Sequence, residues 1–181
     1  MTGSECTGKT TLVGALAKHY RVPFTEEGAR KYVEKIGRSL NLSDVELIAQ
    51  YQIDIENRQI QKNSAAIVLD TDLFSTVVYS KLYFGCCPAW IVETARKRKA
   101  DLYLICSTDI PWAPDGLQRD RGTTEERNTT HLAFLQELKR SACTVEKIGG
   151  LDHERLQCAF MAIKTRIGEQ IHLVDRELES S

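Results

Sequence analysis

The stretch Gly3-Ser4-Glu5-Cys6-Thr7-Gly8-Lys9-Thr10 has the spacing G-x-x-x-x-G-K-T, that of a backbone loop closed around the phosphates of a nucleotide. The glycines let the chain curl until its N–H groups point inward, and the helix behind the loop adds the positive end of its dipole. Lys9 is placed to reach the β and γ oxygens, and Thr10 to offer a hydroxyl to Mg2+. With Thr11, residues 3–11 make up the set expected to hold the phosphates of ATP. A coincidental glycine turn is the competing reading. The apolar-periodic helix immediately behind the pattern counts against it.

Carboxylates follow at places where they could serve such a loop. The run Ala66-Ile67-Val68-Leu69-Asp70-Thr71-Asp72 is apolar and ends in acid, the pattern of a buried parallel strand. A carboxylate at the C-terminal end of such a strand holds Mg2+ directly or through water, which assigns Asp70 to the metal with Thr10. Asp72 suits either a helix cap or a substrate contact. Glu26, Glu27, Gly28, Ala29 and Arg30 follow an earlier strand and should face the same crevice. A carboxylate there accepts a proton from a substrate hydroxyl or hydrogen-bonds it; an acidic first helical turn facing water is the plainer alternative.

A polar segment from Pro111 to Arg127 has the length of a lid or binding loop. Its Trp112 could stack on an aromatic ring or act as a structural staple. Arg119, Arg121 and Arg127 could close on a triphosphate and stabilise charge on the transferring group, and one or two of them are expected to matter.

Strands and helices alternate along the chain, which predicts a parallel sheet covered on both faces. Helices are expected over residues 9–20, 26–40, 41–63, 74–85, 88–100, 124–141 and 152 to about 170, and strands over 21–24, 65–72, 101–107 and 143–148. Ser43 with Glu46 reads as a capping box for the third helix, Gly85 as a stop and Pro88 as a start. Residues 1–171 form one domain, with a lid over about 109–127, and residues 172–181 read as a frayed tail. Only Met1 and Thr2 precede the first glycine, so the strand that should lead into the loop is expected to be missing and its neighbours' edges bare.

At 181 residues, 42% of them apolar, the chain can bury a substantial core. Its formal net charge of −1 supplies no field for nucleic acid or an anionic membrane. There is no apolar run of bilayer length and no signal-peptide pattern at the start. Cys6, Cys86, Cys87, Cys106, Cys143 and Cys158 form neither a C-x-x-C pair nor a zinc spacing, which predicts reduced core thiols in a cytoplasmic protein. The run Arg96-Lys97-Arg98-Lys99 ends a helix, where it complements the dipole and faces water.

Taken in order, the phosphate loop, E-x-A-R-x-Y (Glu27, Ala29, Arg30, Tyr32), D-T-D (Asp70 to Asp72) and P-W-x-x-D-G (Pro111, Trp112, Asp115, Gly116) resemble one known family. It is the nicotinamide riboside kinase domain of NadR-type proteins, a branch of the P-loop small kinases in the AAA-type ATPase-like group. The resemblance runs from about Gly3 to Gln170. It implies a three-layer P-loop sandwich with a five-stranded parallel sheet, related to thymidylate and deoxynucleoside kinases. It also implies Mg2+-dependent transfer of the ATP γ-phosphoryl group to the ribose 5′-hydroxyl of nicotinamide riboside. On that resemblance Lys9, Glu27, Asp70, Arg119 and Arg127 are catalytic, and Glu27, Arg30, Asp72, Trp112 and Asp115 meet the substrate. The family's lid arginine falls on Gln118, with Arg119 one residue later. No DNA-binding or adenylyltransferase domain is expected ahead of the kinase.

Overall fold

The computed structural model describes residues 1–62, 64–111 and 123–179, with side chains as far as residue 168. In chain order the elements are α1 (Lys9–Tyr20), β1 (Phe24–Thr25), α2 (Gly28–Ile36), α3 (Asp44–Ile60), β2 (Val68–Leu69), α4 (Leu73–Phe84), α5 (Ala89–Lys97), β3 (Tyr103–Cys106), α6 (Thr124–Arg140), β4 (Val145–Ile148) and α7 (Asp152–Glu179). β1 and β2 pair in parallel, Phe24 opposite Val68, and β3 and β4 pair in parallel from Tyr103–Val145 to Cys106–Ile148.

Met1 and Thr2 join these two pairs. Thr2 N–H donates to Leu104 O and Cys106 N–H donates to Thr2 O, both at 3.0 Å. On the other side the Met1 amine donates to Leu69 O at 2.7 Å, and Thr71 N–H donates to Met1 O at 3.0 Å. The resulting order is β1, β2, the Met1–Thr2 stub, β3, β4. The expectation of a missing leading strand therefore holds only in part. No regular strand precedes the loop, yet two residues occupy its position and hold the sheet together. Below the stub lies an apolar cavity of about 120 Å³, lined by Met1, Leu16, Val68, Leu102, Leu104 and Ile163 among others. β2 is shorter than residues 65–72 predict: Ala66 and Ile67 flank this gap, with no strand beside them on the central side among the described residues.

β3 shows how the sheet is covered. Leu104 and Cys106 pack with Leu12 and Leu16 of α1 and Ala159 and Ile163 of α7. Tyr103 points the other way, into Val45, Phe74, Val77, Ile91 and Leu138, and Ile105 meets Val78 and Phe134. Side chains alternate across a strand, so four consecutive buried residues require apolar cover on both faces. Fully burying Leu16, Phe74 or Phe134 stabilises the fold by ~1.5–3 kcal/mol each.

Several local expectations change. Ser43 makes no side-chain cap; its hydroxyl donates to Asn41 Oδ1 at 2.6 Å, and Glu46 accepts from Trp90 Nε1 instead. The capping box sits on α6, where Thr123 Oγ1 accepts from Glu126 N–H at 3.2 Å and the Glu126 carboxylate accepts from Thr123 N–H. α7 continues past residue 170 to Glu179, a stretch with neither Gly nor Pro to stop it. Arg98, read as facing water, donates to Glu56 at 3.0 Å and to Asn57 at 2.9 Å. Of the six cysteines only Cys106 is buried, while Cys86 and Cys158 are exposed, so they are not a set of core thiols. Among the described residues no helix is long and apolar enough to cross a membrane.

Candidate active site

The loop between the stub and α1 places three residues in left-handed or related backbone: Gly3 at φ 125°, Cys6 at φ 49° and Gly8 at φ 74°. At Gly3 the conformation is required twice over. L side chains rarely adopt that φ, and a Cβ there would lie 3.0 Å from Cys106 O. Inside the curl, Thr7 Oγ1 donates to Ser4 O at 2.8 Å, and Lys9 Nζ donates to Gly3 O at 3.1 Å and Ser4 O at 2.7 Å.

Thr10 Oγ1 donates to Asp70 Oδ2, and Asp70 Oδ1 is buried with no hydrogen-bond partner among the described residues. A hydroxyl and a carboxylate with a spare buried oxygen are hard oxygen donors, and they fit a Mg2+ ion. Thr10 and Asp70 thus meet as the sequence predicts.

Glu27, at the start of α2, lies 3.7 Å from Arg30 Nε. Burial pushes its carboxyl pKa above the ordinary value, while Lys9 pulls the other way and Asp70 adds to the rise. Its neighbour Gly28 is as spare as it is because Gln52 approaches it: Gly28 N–H donates to Gln52 Oε1 at 3.1 Å, and a Cβ there would come within 2.5 Å of that oxygen.

Glu5, Lys9, Glu27, Asp72, Tyr79 and Tyr83 line one cavity of about 260 Å³, enclosed by α2, α3 and α4. Tyr79 and Tyr83 stack with centroids 5.9 Å apart and planes 18° apart, and the Tyr79 hydroxyl is hydrogen-bonded to Glu5. Burial raises the Tyr79 pKa well above its usual value and keeps it a donor. Asp72 resolves toward the cap: Oδ1 accepts from Phe74 N–H at 3.0 Å and Oδ2 from the Tyr103 hydroxyl at 2.6 Å. Both oxygens are engaged, although the side chain still forms part of the cavity wall.

Arg127 is fixed against the phosphate loop. It is buried in α6, and its Nη2 donates to Cys6 O at 3.2 Å and Ile110 O at 2.9 Å. Arg155 does the same from α7 and is a residue the sequence offered no reason to choose. Only 4% exposed, it donates to Thr7 O at 2.8 Å, to Ser107 O and Gly150 O, and pairs with Asp109. Two buried guanidinium groups thus hold consecutive carbonyls of the phosphate loop from behind. Trp112, Asp115, Arg119 and Arg121 lie outside the described residues. Tyr79 was equally unmarked, since an aromatic on a helix is more often simple core.

A parallel sheet with helices on both faces, its central chain running into a glycine loop and a helix N-terminus, defines a P-loop NTPase-like α/β protein. The chain belongs to the AAA domain family, whose model matches residues 1–155. The trifunctional NAD biosynthesis/regulator protein NadR of Salmonella typhimurium is 26% identical over 174 residues, which cover 93% of this chain and 42% of that protein. NadR of Escherichia coli is 25% identical with the same coverage. A crystal structure of NadR protein in complex with NR superposes with a TM-score of 0.70 at 28% identity, covering 92% of this chain and 50% of the other. A second, with NAD and AMP-PNP, gives 0.70 at 29% identity, covering 92% of this chain and 48% of the other. The resemblance to NadR-type proteins read from the ordered motifs is borne out. The chain spans 42% of the length of the curated relatives it matches.

Proposed function

We propose that this protein transfers the γ-phosphoryl group of ATP to the 5′-hydroxyl of nicotinamide riboside, giving ADP and nicotinamide mononucleotide. The observation that carries the reading is the single cavity in which Lys9 and Glu5 of the phosphate loop meet Glu27 and the stacked Tyr79–Tyr83 pair. A donor phosphate on the loop and an acceptor in the cavity are then neighbours. Among the described residues the lining holds the carboxylates Glu5, Glu27 and Asp72 against one cation, Lys9, and carries aromatic faces. Such a wall favours a flat, positively charged base over a neutral one.

In this mechanism the loop N–H groups and Lys9 bind the β and γ phosphates and disperse the charge that develops there. Thr10 and Asp70 would hold Mg2+, which would neutralise phosphate charge when bound. Glu27, its pKa raised by burial, orients the acceptor hydroxyl and takes its proton as the new O–P bond forms and the bond to ADP breaks. Arg127 keeps the loop in shape, and Arg119 remains the arginine assigned to the lid. Trp112 and Asp115 are assigned to the riboside, with Arg30 beside Glu27. Relatives named for NAD biosynthesis and a neighbour crystallised with NR support the choice of acceptor.

The test is a coupled assay of ADP formation over a panel of nicotinamide riboside, uridine and thymidine, beside Lys9→Ala. Turnover that requires nicotinamide riboside and collapses in the variant is expected. Equal turnover with uridine or thymidine would move the acceptor elsewhere, and activity that ignores both acceptor and Lys9 would sink the kinase reading.

A further inference from the structure

Part of the wall of the large cavity is made by a connection rather than an element. Residues 37–43 link α2 to α3, and Ser39 and Leu40 of this link line the cavity together with Tyr83 and Phe84. A link of this length has no ladder or helix to hold it, so something else must. It leaves α2 through Gly37 at φ 65°, whose N–H closes the helix onto Val33 O at 2.9 Å.

What holds the link is one buried carboxylate. Asp44 Oδ2 accepts from Arg38 Nη1 at 2.7 Å and from Asn41 N–H at 2.9 Å; Oδ1 accepts from Arg38 Nη2 at 2.9 Å and from the Tyr32 hydroxyl at 3.0 Å. The same Arg38 Nη1 also donates to Ser39 O at 2.9 Å. Within the link, Asn41 Oδ1 accepts from Ser43 N–H and from the Ser43 hydroxyl. The carboxyl is 3% exposed while the guanidinium that forks onto it is half-exposed. A fork of two charge-assisted bonds is rigid in a way that single surface pairs are not. The hydrogen bonds from Arg38, Asn41 and Tyr32 hold the Asp44 carboxyl far below the usual carboxylate range, so the fork stays charged at any working pH.

We propose that Asp44 is a positioning residue for the phosphoryl acceptor: by gathering Arg38, Tyr32 and Asn41 N–H onto one carboxylate it fixes Ser39 and Leu40 as the wall that confines the acceptor's base. The role rests on the kinase reading for the identity of the acceptor, but the clasp itself does not. Neither Asp44 nor Arg38 touches the phosphate loop, so the effect is confined to the acceptor side. Loosening the wall leaves the reacting groups in place and lowers the fraction of time the cavity is closed around its ligand.

The experiment compares wild type with Asp44→Asn, Tyr32→Phe and Arg38→Gln, the last at a half-exposed position, each first checked for a native thermal melt. Asp44→Asn is expected to raise the acceptor KM about tenfold, in keeping with the loss of a charged hydrogen-bond set, and Arg38→Gln nearly as much. The ATP KM and the kcat at saturating acceptor should stay within about twofold of wild type. Acceptor and ATP KM rising together, or kcat falling at unchanged acceptor KM, would overturn the proposal. Amide hydrogen exchange over residues 37–43 is read on the same proteins without any acceptor. Faster exchange confined to that link in Arg38→Gln is expected, and unchanged exchange overturns the clasp. Were wild type to phosphorylate no nucleoside, the kinase reading would fall while the exchange measurement still decided whether Asp44 holds the link.

Discussion

Thr10 Oγ1 and Asp70 Oδ2 are 2.7 Å apart, a hydrogen bond that ties the first turn of α1 to the residue following β2. The two sit sixty residues apart in sequence and on different elements, yet they present a hydroxyl and a spare carboxylate oxygen to one spot. Asp70→Asn keeps the shape and the bond while removing the charge. It is expected to raise the Mg2+ concentration for half-maximal activity by ~10–100-fold. A Mg2+ titration at saturating ATP checks this, and an unchanged requirement would remove Asp70 from the metal.

Glu27→Gln is expected to cut kcat by ~10²–10⁴-fold, the range for losing a positioned base. The wild-type rate should fall on the acid side at a pH above that of an ordinary glutamate, because burial raises this carboxyl. The variant should also be the more stable protein at pH 8. A carboxyl whose folded pKa lies above its unfolded one contributes most stability below the unfolded value and loses it as pH rises through the folded value. The glutamine has no such loss. Thermal melts of both proteins at pH 4 and pH 8 test the sign: the melting temperatures should diverge only at the higher pH.

How much of this was legible beforehand depends on how far away each residue's partner lies. The phosphate loop is legible because its demands are local: glycine where φ is positive, then a lysine and a hydroxyl on the first turn. The helices follow from apolar spacing, as at Leu12, Val13 and Leu16, all buried where expected. Asp72 was divided between cap and substrate because its deciding partner, the Tyr103 hydroxyl, is on another strand. Ser43 and Glu46 matched a capping pattern, but Asn41 and Trp90 engaged them first. Arg127 read as a lid residue because nothing in the sequence says that Cys6 O lies beside it. Arg155 was invisible for the same reason, 148 positions from the carbonyl it holds.

Arg155→Met removes donors from Thr7 O, Ser107 O and Gly150 O and leaves Asp109 without its ion-pair partner, though Gly150 N–H still donates to it. The expected cost is ~2–4 kcal/mol of folding stability, typical for stranding buried acceptors. Because Thr7 belongs to the loop, the ATP KM should rise as well while the acceptor KM stays put. Urea denaturation gives the first quantity and initial rates give the second.

The Met1 amine is buried against Leu69 O, and burial lowers its pKa despite the nearby carboxylates Asp72 and Asp70. A base with a depressed folded pKa contributes stability that is present above its unfolded pKa, near 8, and lost as pH falls through the folded value. The urea midpoint of a chain beginning at Met1 should therefore climb as pH rises toward that unfolded value. Fusing four apolar residues ahead of Met1 replaces the amine with a peptide group and offers side chains to the cavity beside Leu102 and Leu104. The slope should disappear and the midpoint rise, since each side chain that fills the gap adds ~1.5–3 kcal/mol.

Thr7 O is held by Arg155, and Thr2 is held between Leu104 O and Cys106 N–H. On a ribosome, then, the loop residues emerge well before the partners that frame them. The nucleotide loop stays unframed until some 150 further residues have been made and α7 has docked against α1. A nascent chain released early carries the whole loop sequence and none of its shape.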